Sequence, residues 1–183
     1  MNSEQAAATV IEQLESQHVD YILVGAFSSN IYGVPRSTKD ADIVVAFETI
    51  QLVEFCKLLG ENFLLDRQMM LEGFTGSVRN VVRFKPTGFD IEFFRLTDDA
   101  HHQQRFQRRL RHRISEFDCE AWVPTPEDVV IQKLRWARRK DLDDVVNVLS
   151  VSGESLDWSY IRAWTEQHAT TALLHQLRTE AGV

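Results

Sequence analysis

The sequence predicts an α+β fold: a small β-sheet with helices packed on it and a C-terminal helical annex. Three observations carry this. Short apolar, β-branched runs at Tyr21–Val24, Ile43–Phe47, Arg79–Phe84 and Phe89–Leu96 read as strands. Between them lie stretches with helical apolar spacing. From Pro126 onward the helical period is the only one present. At 183 residues and 44% hydrophobic content the chain suffices for one good core. Residues 1–98 are expected to form the sheet core, with 99–183 as a basic segment and helical annex in one compact unit with it.

Each element has a local reason. Ala6–Gln17 places Val10, Ile11 and Leu14 on one side of a helix. The strand at Tyr21 ends abruptly at Gly25-Ala26, and Ala26–Tyr32 reads as a short helix. Thr49–Leu59 carries Leu52, Phe55, Cys56 and Leu59 at i, i+3, i+4, i+7, with Gly60 to close it. Lys85-Pro86-Thr87-Gly88 joins two strands as a hairpin turn. Asp98–Arg111 is polar and expected to be helical, and Ala121–Val123 is a short strand. Thr125 as N-cap with Pro126 at the first helical position starts a helix over 126–138. Helices over 141–149, 156–168 and 172–179 follow, and Trp158, Tyr160, Ile161 and Trp164 supply a bulky stripe that packs the annex onto the core.

The chemistry is concentrated in Val24–Val45. Asp40 and Asp42 open an apolar run, and side chains at i and i+2 of a strand share a face, about 7 Å apart along the chain. Two like charges held that close repel, and a hard cation such as Mg²⁺ stabilises the pair. Its natural client is a polyphosphate. Gly25 takes backbone angles closed to other residues and lets a phosphate approach the main chain. The first N–H groups of the following helix face the same region. Asp-x-Asp triplets are common in solvated loops, but here Ile43-Val44-Val45 places the acids at the start of a buried strand.

This pattern resembles the polymerase-β-like nucleotidyltransferase superfamily, especially its small bacterial members of the MNT and AbiEii-like kind. The first motif is Val24-Gly25-Ala26, a gap from Phe27 to Lys39, then Asp40-Ala41-Asp42-Ile43. A third carboxylate on a later strand is met by Phe89-Asp90-Ile91 and by Ile91-Glu92-Phe93. Spacing does not choose between Asp90 and Glu92, and the resemblance favours Asp90. A second block, Thr125-Pro126-Glu127-Asp128 through Lys133-Leu134 and then Lys140-Asp141-Leu142-Asp143-Asp144, carries Lys133 and Asp141 into the site. The resemblance covers nearly the whole chain and implies a small mixed sheet. It implies that Asp40, Asp42 and Asp90 hold Mg²⁺. Gly25, Ala26, Ser28, Arg36, Thr38, Lys133 and Asp141 would then bind a nucleoside triphosphate, with Asp40, Asp42, Asp90 and Lys133 catalytic. One departure is Ala26, where the family has Gly or Ser. It removes a hydroxyl that Ser28 or Ser29 is expected to replace.

Composition bounds the alternatives. A net charge of −7 argues against nucleic-acid binding through bulk electrostatics. Residues 105–140 nevertheless hold ten of the 20 Lys and Arg against five acids, a net +5 that leaves −12 elsewhere. That segment is either a solvated face or a basic wall for a triphosphate or an RNA acceptor. On its helix, Val130, Leu134 and Ala137 are expected to face inward. Lys133 then reaches a cleft, while Arg135, Arg138 and Arg139 are solvated. Cys56 and Cys119 suggest neither a disulfide framework nor a zinc site. His101 and His102 sit among polar residues. No apolar run approaches the roughly 20 residues of a membrane span. Without a signal-peptide pattern, the expected compartment is the cytosol. The acceptor (RNA, protein or a small molecule such as an aminoglycoside), the base preference and the oligomeric state are not written in the sequence. The rival reading is a degenerate nucleotidyltransferase fold acting as a nucleotide-binding or toxin–antitoxin interaction module.

Overall fold

The computed structural model describes residues 1–46, 49–66, 68, 70–71 and 78–183. Helix α1 (Ser3–Ser16) opens with a capping box in which Asn2 accepts from the Gln5 N–H and the Gln5 side chain accepts from the Asn2 N–H. Strand β1 (Tyr21–Val24) runs straight into α2 (Gly25–Tyr32). Next come β2 (Asp40–Val45), α3 (Thr49–Leu58), β3 (Phe63–Leu65), β4 (Met70–Leu71) and the hairpin β5 (Val78–Phe84) and β6 (Phe89–Arg95). Helix α4 (Ala100–Gln107) leads into a second hairpin, β7 (Leu110–Ile114) and β8 (Cys119–Val123). The annex comprises α5 (Pro126–Trp136), α6 (Arg139–Ser152), a 3₁₀ turn at Gly153–Ser155, α7 (Trp158–Gln167) and α8 (Thr171–Ala181).

The main sheet has the order β1-β2-β6-β5-β3, with β4 also paired to β5. β2 and β6 are parallel and the other pairs antiparallel, so the sheet is mixed. One face buries Leu23, Ala41, Ile43, Ile91 and Phe93 with Val10, Ile11, Leu14, Leu52 and Phe55 from α1 and α3. The other carries Ile22, Val24, Val44 and Phe94, covered in part by Phe106 of α4. Alternation along β2 and β6 therefore sends Asp40, Asp42, Asp90 and Glu92 to this second face. The annex has its own core of Val130, Ile131, Leu134, Val145, Val148, Leu149 and Ile161. Annex and core meet closely where a Cβ on Gly33, after α2, would stand 2.9 Å from the Val148 N of α6.

Several expectations need correction. The polar segment over 98–111 is not one helix: α4 stops at Gln107, and Leu110–Ile114 pairs with Cys119–Val123. Ile114, Ala121 and Val123 drop into the main core and anchor that hairpin. α5 ends at Trp136 because Ala137 turns to a left-handed cap (φ 50°), so Ala137 is exposed and not inward-facing. β3 and β4 are too short to leave a periodic signal. The far end of the strand expected over 43–47 lies outside the described residues.

Candidate active site

The parallel register of β2 and β6 sets Asp40 beside Asp90 and Asp42 beside Glu92. Because register partners share a face, both candidates for the third acid stand next to the Asp40–Asp42 pair. Each is turned to an arginine of β5. Arg83 donates Nε–H and Nη2–H to the two Asp90 oxygens at 2.7 and 2.8 Å, and Arg79 donates to Glu92 at 2.7 Å. Among the described residues no three His, Cys, Asp or Glu side chains gather closely enough to hold a metal between them. Asp90 lies beside the Asp40–Asp42 pair in register but turns its carboxylate to Arg83.

Asp42 is the electrostatic centre of the face. Burial, then the charges of Asp40 and Glu92, push its carboxyl up to about 7, with Lys133 and Lys140 partly offsetting them. Burial also raises Glu92, against the opposing pull of Arg79. Gly25 stands directly against Asp42. Its φ is +69°, and a Cβ added there would lie 1.9 Å from Asp42 Oδ2. Only glycine satisfies both conditions. Thr38 donates its hydroxyl to Asp40 Oδ1 at 2.6 Å. Ser28 and Ser29 do not replace the hydroxyl missing at Ala26, because both donate back to the Gly25 carbonyl at 2.9 Å. Ala26 itself is buried.

Beside the pair lies an ionic network centred on Asp144. Arg36 donates to its two oxygens at 2.6 and 2.9 Å, and Lys133 Nζ to Oδ2 at 2.5 Å. Lys133 also reaches Asp141 at 3.3 Å, and Arg138 donates to Asp141 at 2.6 Å. Asp141, Asp144 and Lys133 are buried. Burial would raise the Asp144 carboxyl, but the bonds from Arg36 and Lys133 outweigh it and hold it below the ordinary carboxylate value. Asn30 clamps the Arg36 backbone through its N–H and C=O, at 3.1 and 2.9 Å. The loop from Gly33 to Lys39, which delivers Thr38 and Asp40, is thereby tied to α2 and α6.

Of the residues expected to bind the triphosphate, Arg36 and Lys133 are thus brought together on Asp144, and Asp141 is held by Lys133 and Arg138. Arg135 is also paired, donating to both Asp99 oxygens at 3.0 and 2.9 Å. Asp144 and Lys140 belong to the Lys140–Asp144 motif, whose pattern alone assigns them no role. The signal for Arg79 and Arg83 is their i, i+4 spacing on a strand that faces the acids.

The donor set fits Mg²⁺, which binds through one or two protein carboxylates and takes its other oxygens from water and phosphate. Asp40 and Asp42 would supply those two carboxylates. The Asp42 carboxylate receives no hydrogen bond among the described residues.

Three solved structures, of two proteins, share the fold at low identity. An antigenic nucleotidyltransferase-like protein from Paracoccidioides brasiliensis aligns with a TM-score of 0.60 at 15% identity, over 97% of this chain and 92% of its own. The antibiotic-resistance factor ANT(2'')-Ia in solution aligns with a TM-score of 0.59 at 13% identity, over 96% and 98%. The same enzyme in complex with adenylyl-2''-tobramycin gives 0.58 at 12%, over 88% and 94%. Among curated proteins none matches the sequence significantly. Residues 4–181 match the model of a family described as nucleotidyltransferase of unknown function (DUF6036), and the chain belongs to that family.

Proposed function

We propose that this protein is a Mg²⁺-dependent nucleotidyltransferase that moves a nucleoside monophosphate from a nucleoside triphosphate to an acceptor hydroxyl. The observation that carries the reading is Gly25, at positive φ and without room for a Cβ, set against Asp42 beside Asp40. When bound, Mg²⁺ supplies charge neutralisation on the phosphates. Asp40 and Asp42 hold it, and Thr38 orients Asp40. The N–H groups at the start of α2 bind phosphate oxygens. The acceptor oxygen attacks the α-phosphorus, the bond to the bridging oxygen breaks, and pyrophosphate leaves. The acceptor's proton passes to a carboxylate of the same face, Asp90 or Glu92, each positioned by its arginine. Exposed Lys140 supplies a point charge toward the triphosphate. A small molecule is one acceptor class, since a neighbouring fold is known with adenylyl-2''-tobramycin. RNA and protein are the others.

A second reading, a nucleotide-binding fold without turnover, is favoured by the arginines on Asp90 and Glu92 and by the inward-turned Ser28 and Ser29 hydroxyls. Titration calorimetry of each triphosphate with and without Mg²⁺ separates both readings from a plain interaction module, which would bind none. Transfer of α-labelled phosphate to a lysate fraction separates the enzyme from its inactive form. Mg²⁺-dependent binding without any transfer would leave the second reading standing.

A further inference from the structure

Arg105, on α4, is only 5% exposed and its Nε is sealed from solvent without a partner. Among the described residues it makes no hydrogen bond or ion pair. The nearest carboxylates are engaged elsewhere. Asp99 is held by both Arg135 nitrogens and by the His102 N–H. Asp128 accepts from Tyr160, Thr125 and Arg108 and contacts His101 Nε2. An unpaired guanidinium in such a position is costly unless something neutralises it.

Two small cavities, of about 20 and 10 Å³, share Val24, Arg105, Gln132 and Trp136 in their walls, and His102 lines the larger. Four of these side chains carry a sealed polar atom with no partner: Arg105 Nε, Trp136 Nε1, His102 Nε2, and both Nε2 and Oε1 of Gln132. The inventory is lopsided. Arg105, Trp136 and the Gln132 amide nitrogen are donors. His102 Nε2–H is a fourth when the Thr97 hydroxyl, 2.6 Å from Nδ1, donates to that nitrogen. The Gln132 oxygen is the lone acceptor. A water brings two protons to a site with one acceptor and adds no negative charge to the partial compensation that Asp128 and Asp99 give Arg105. An anion accepts from donors of this kind and neutralises the cation. The volume holds about one water-sized particle, which excludes phosphate, sulfate and organic acids.

We infer that Arg105, Gln132, Trp136 and His102 form a site for a single small inorganic anion of halide size, under α4 on the same side of the sheet as Asp40 and Asp42. The smaller cavity also touches Gly25, Ser28 and Lys133, at the start of α2 and on α5. The test compares thermal unfolding in sodium gluconate, chloride and bromide at one ionic strength and pH. The expected result is a saturable rise in Tm with chloride and bromide for the wild type and none for Arg105→Met. If that variant does not fold, Trp136→Phe keeps the cation, removes one donor and should need more halide for the same rise. Crystals grown in bromide should show one anomalous peak beside Arg105. Equal Tm values in gluconate and chloride, with only water in the cavity, would overturn the proposal. So would a halide-dependent rise that survives intact in Arg105→Met, since the ion would then bind elsewhere.

Discussion

Gly25 and Asp42 show how one backbone position constrains a site. In the wild type the carboxylate occupies the space a Cβ would need, and φ is +69°. Gly25→Ala is expected to cost at least about 1–2 kcal/mol from backbone strain alone, and to displace Asp42. Calorimetry should then find Mg²⁺-dependent triphosphate binding lost, while circular dichroism still finds a folded protein. Lys133 answers to a different rule. Its ammonium is buried between Asp141 and Asp144, with a side chain 5% exposed, so Lys133→Met leaves two carboxylates with fewer partners. The expected loss is about 3–5 kcal/mol of unfolding free energy. Arg138, whose side chain is 40% exposed on Asp141, is expected to contribute under about 1 kcal/mol when replaced by Ala. Urea titrations of both variants check the contrast. Equal losses would mean that Lys133 is solvated in the working protein.

At the scale of elements, α4 couples sheet and annex through buried imidazoles. His101 has no exposed surface and meets Trp164 of α7 edge-on, at 5.0 Å between ring centres. Burial, then the charge of Arg105, pushes His102 down to about 4. Burial, with Arg135 and His101 nearby, does the same for His168. The unfolded chain has ordinary histidines near 6.5, so on acidification it takes up protons before the folded protein does. Stability is therefore full above about pH 6.5 and falls as pH drops toward 4. Denaturant midpoints at pH 7 and pH 5 should differ in that direction, and His102→Asn should flatten the slope; a midpoint independent of pH would show these rings to be solvated. The buried role of these histidines was not legible in the sequence, because α4 looks polar all round and its partners, Asp128 and Trp164, come from distant helices. The strands, by contrast, were legible. The turn at Lys85–Gly88 predicts the hairpin, and in the structure Phe84 pairs with Phe89 and Arg83 with Asp90 across it. The acid pair was legible from period two alone. The parallel register that brings Asp90 and Glu92 beside it depends on a crossover that no local pattern encodes.

For the whole molecule, the basic segment over 105–140 is the clearest case of charge whose meaning appears only in three dimensions. In sequence it offers a net +5 that suits a polyanion. Folded, Arg108 contacts Glu127 and Asp128, Arg109 contacts Asp20, and Arg111 bridges Glu15 and Glu120. Arg113 pairs with Asp118, Arg135 with Asp99, and Lys133 and Arg138 with the acids of α6. Arg105 is interior. Most of these cations are thus paired with acids of a chain whose net charge is −7, and such pairs argue against a continuous positive surface. A polyanion gains affinity by releasing counterions to accessible Lys and Arg, with a salt slope that counts the phosphates neutralised. The expected outcome is that labelled single-stranded RNA binds more weakly than about 10⁻⁴ M at physiological salt, the weak end of non-specific affinities. Mg²⁺-triphosphate binding at the Asp40–Asp42 face should persist under the same conditions, since it rests on local coordination. Fluorescence anisotropy across a salt series decides the matter. Micromolar affinity with a slope of several phosphates would mean that these ion pairs open to receive RNA, and the acceptor would then be sought among nucleic acids.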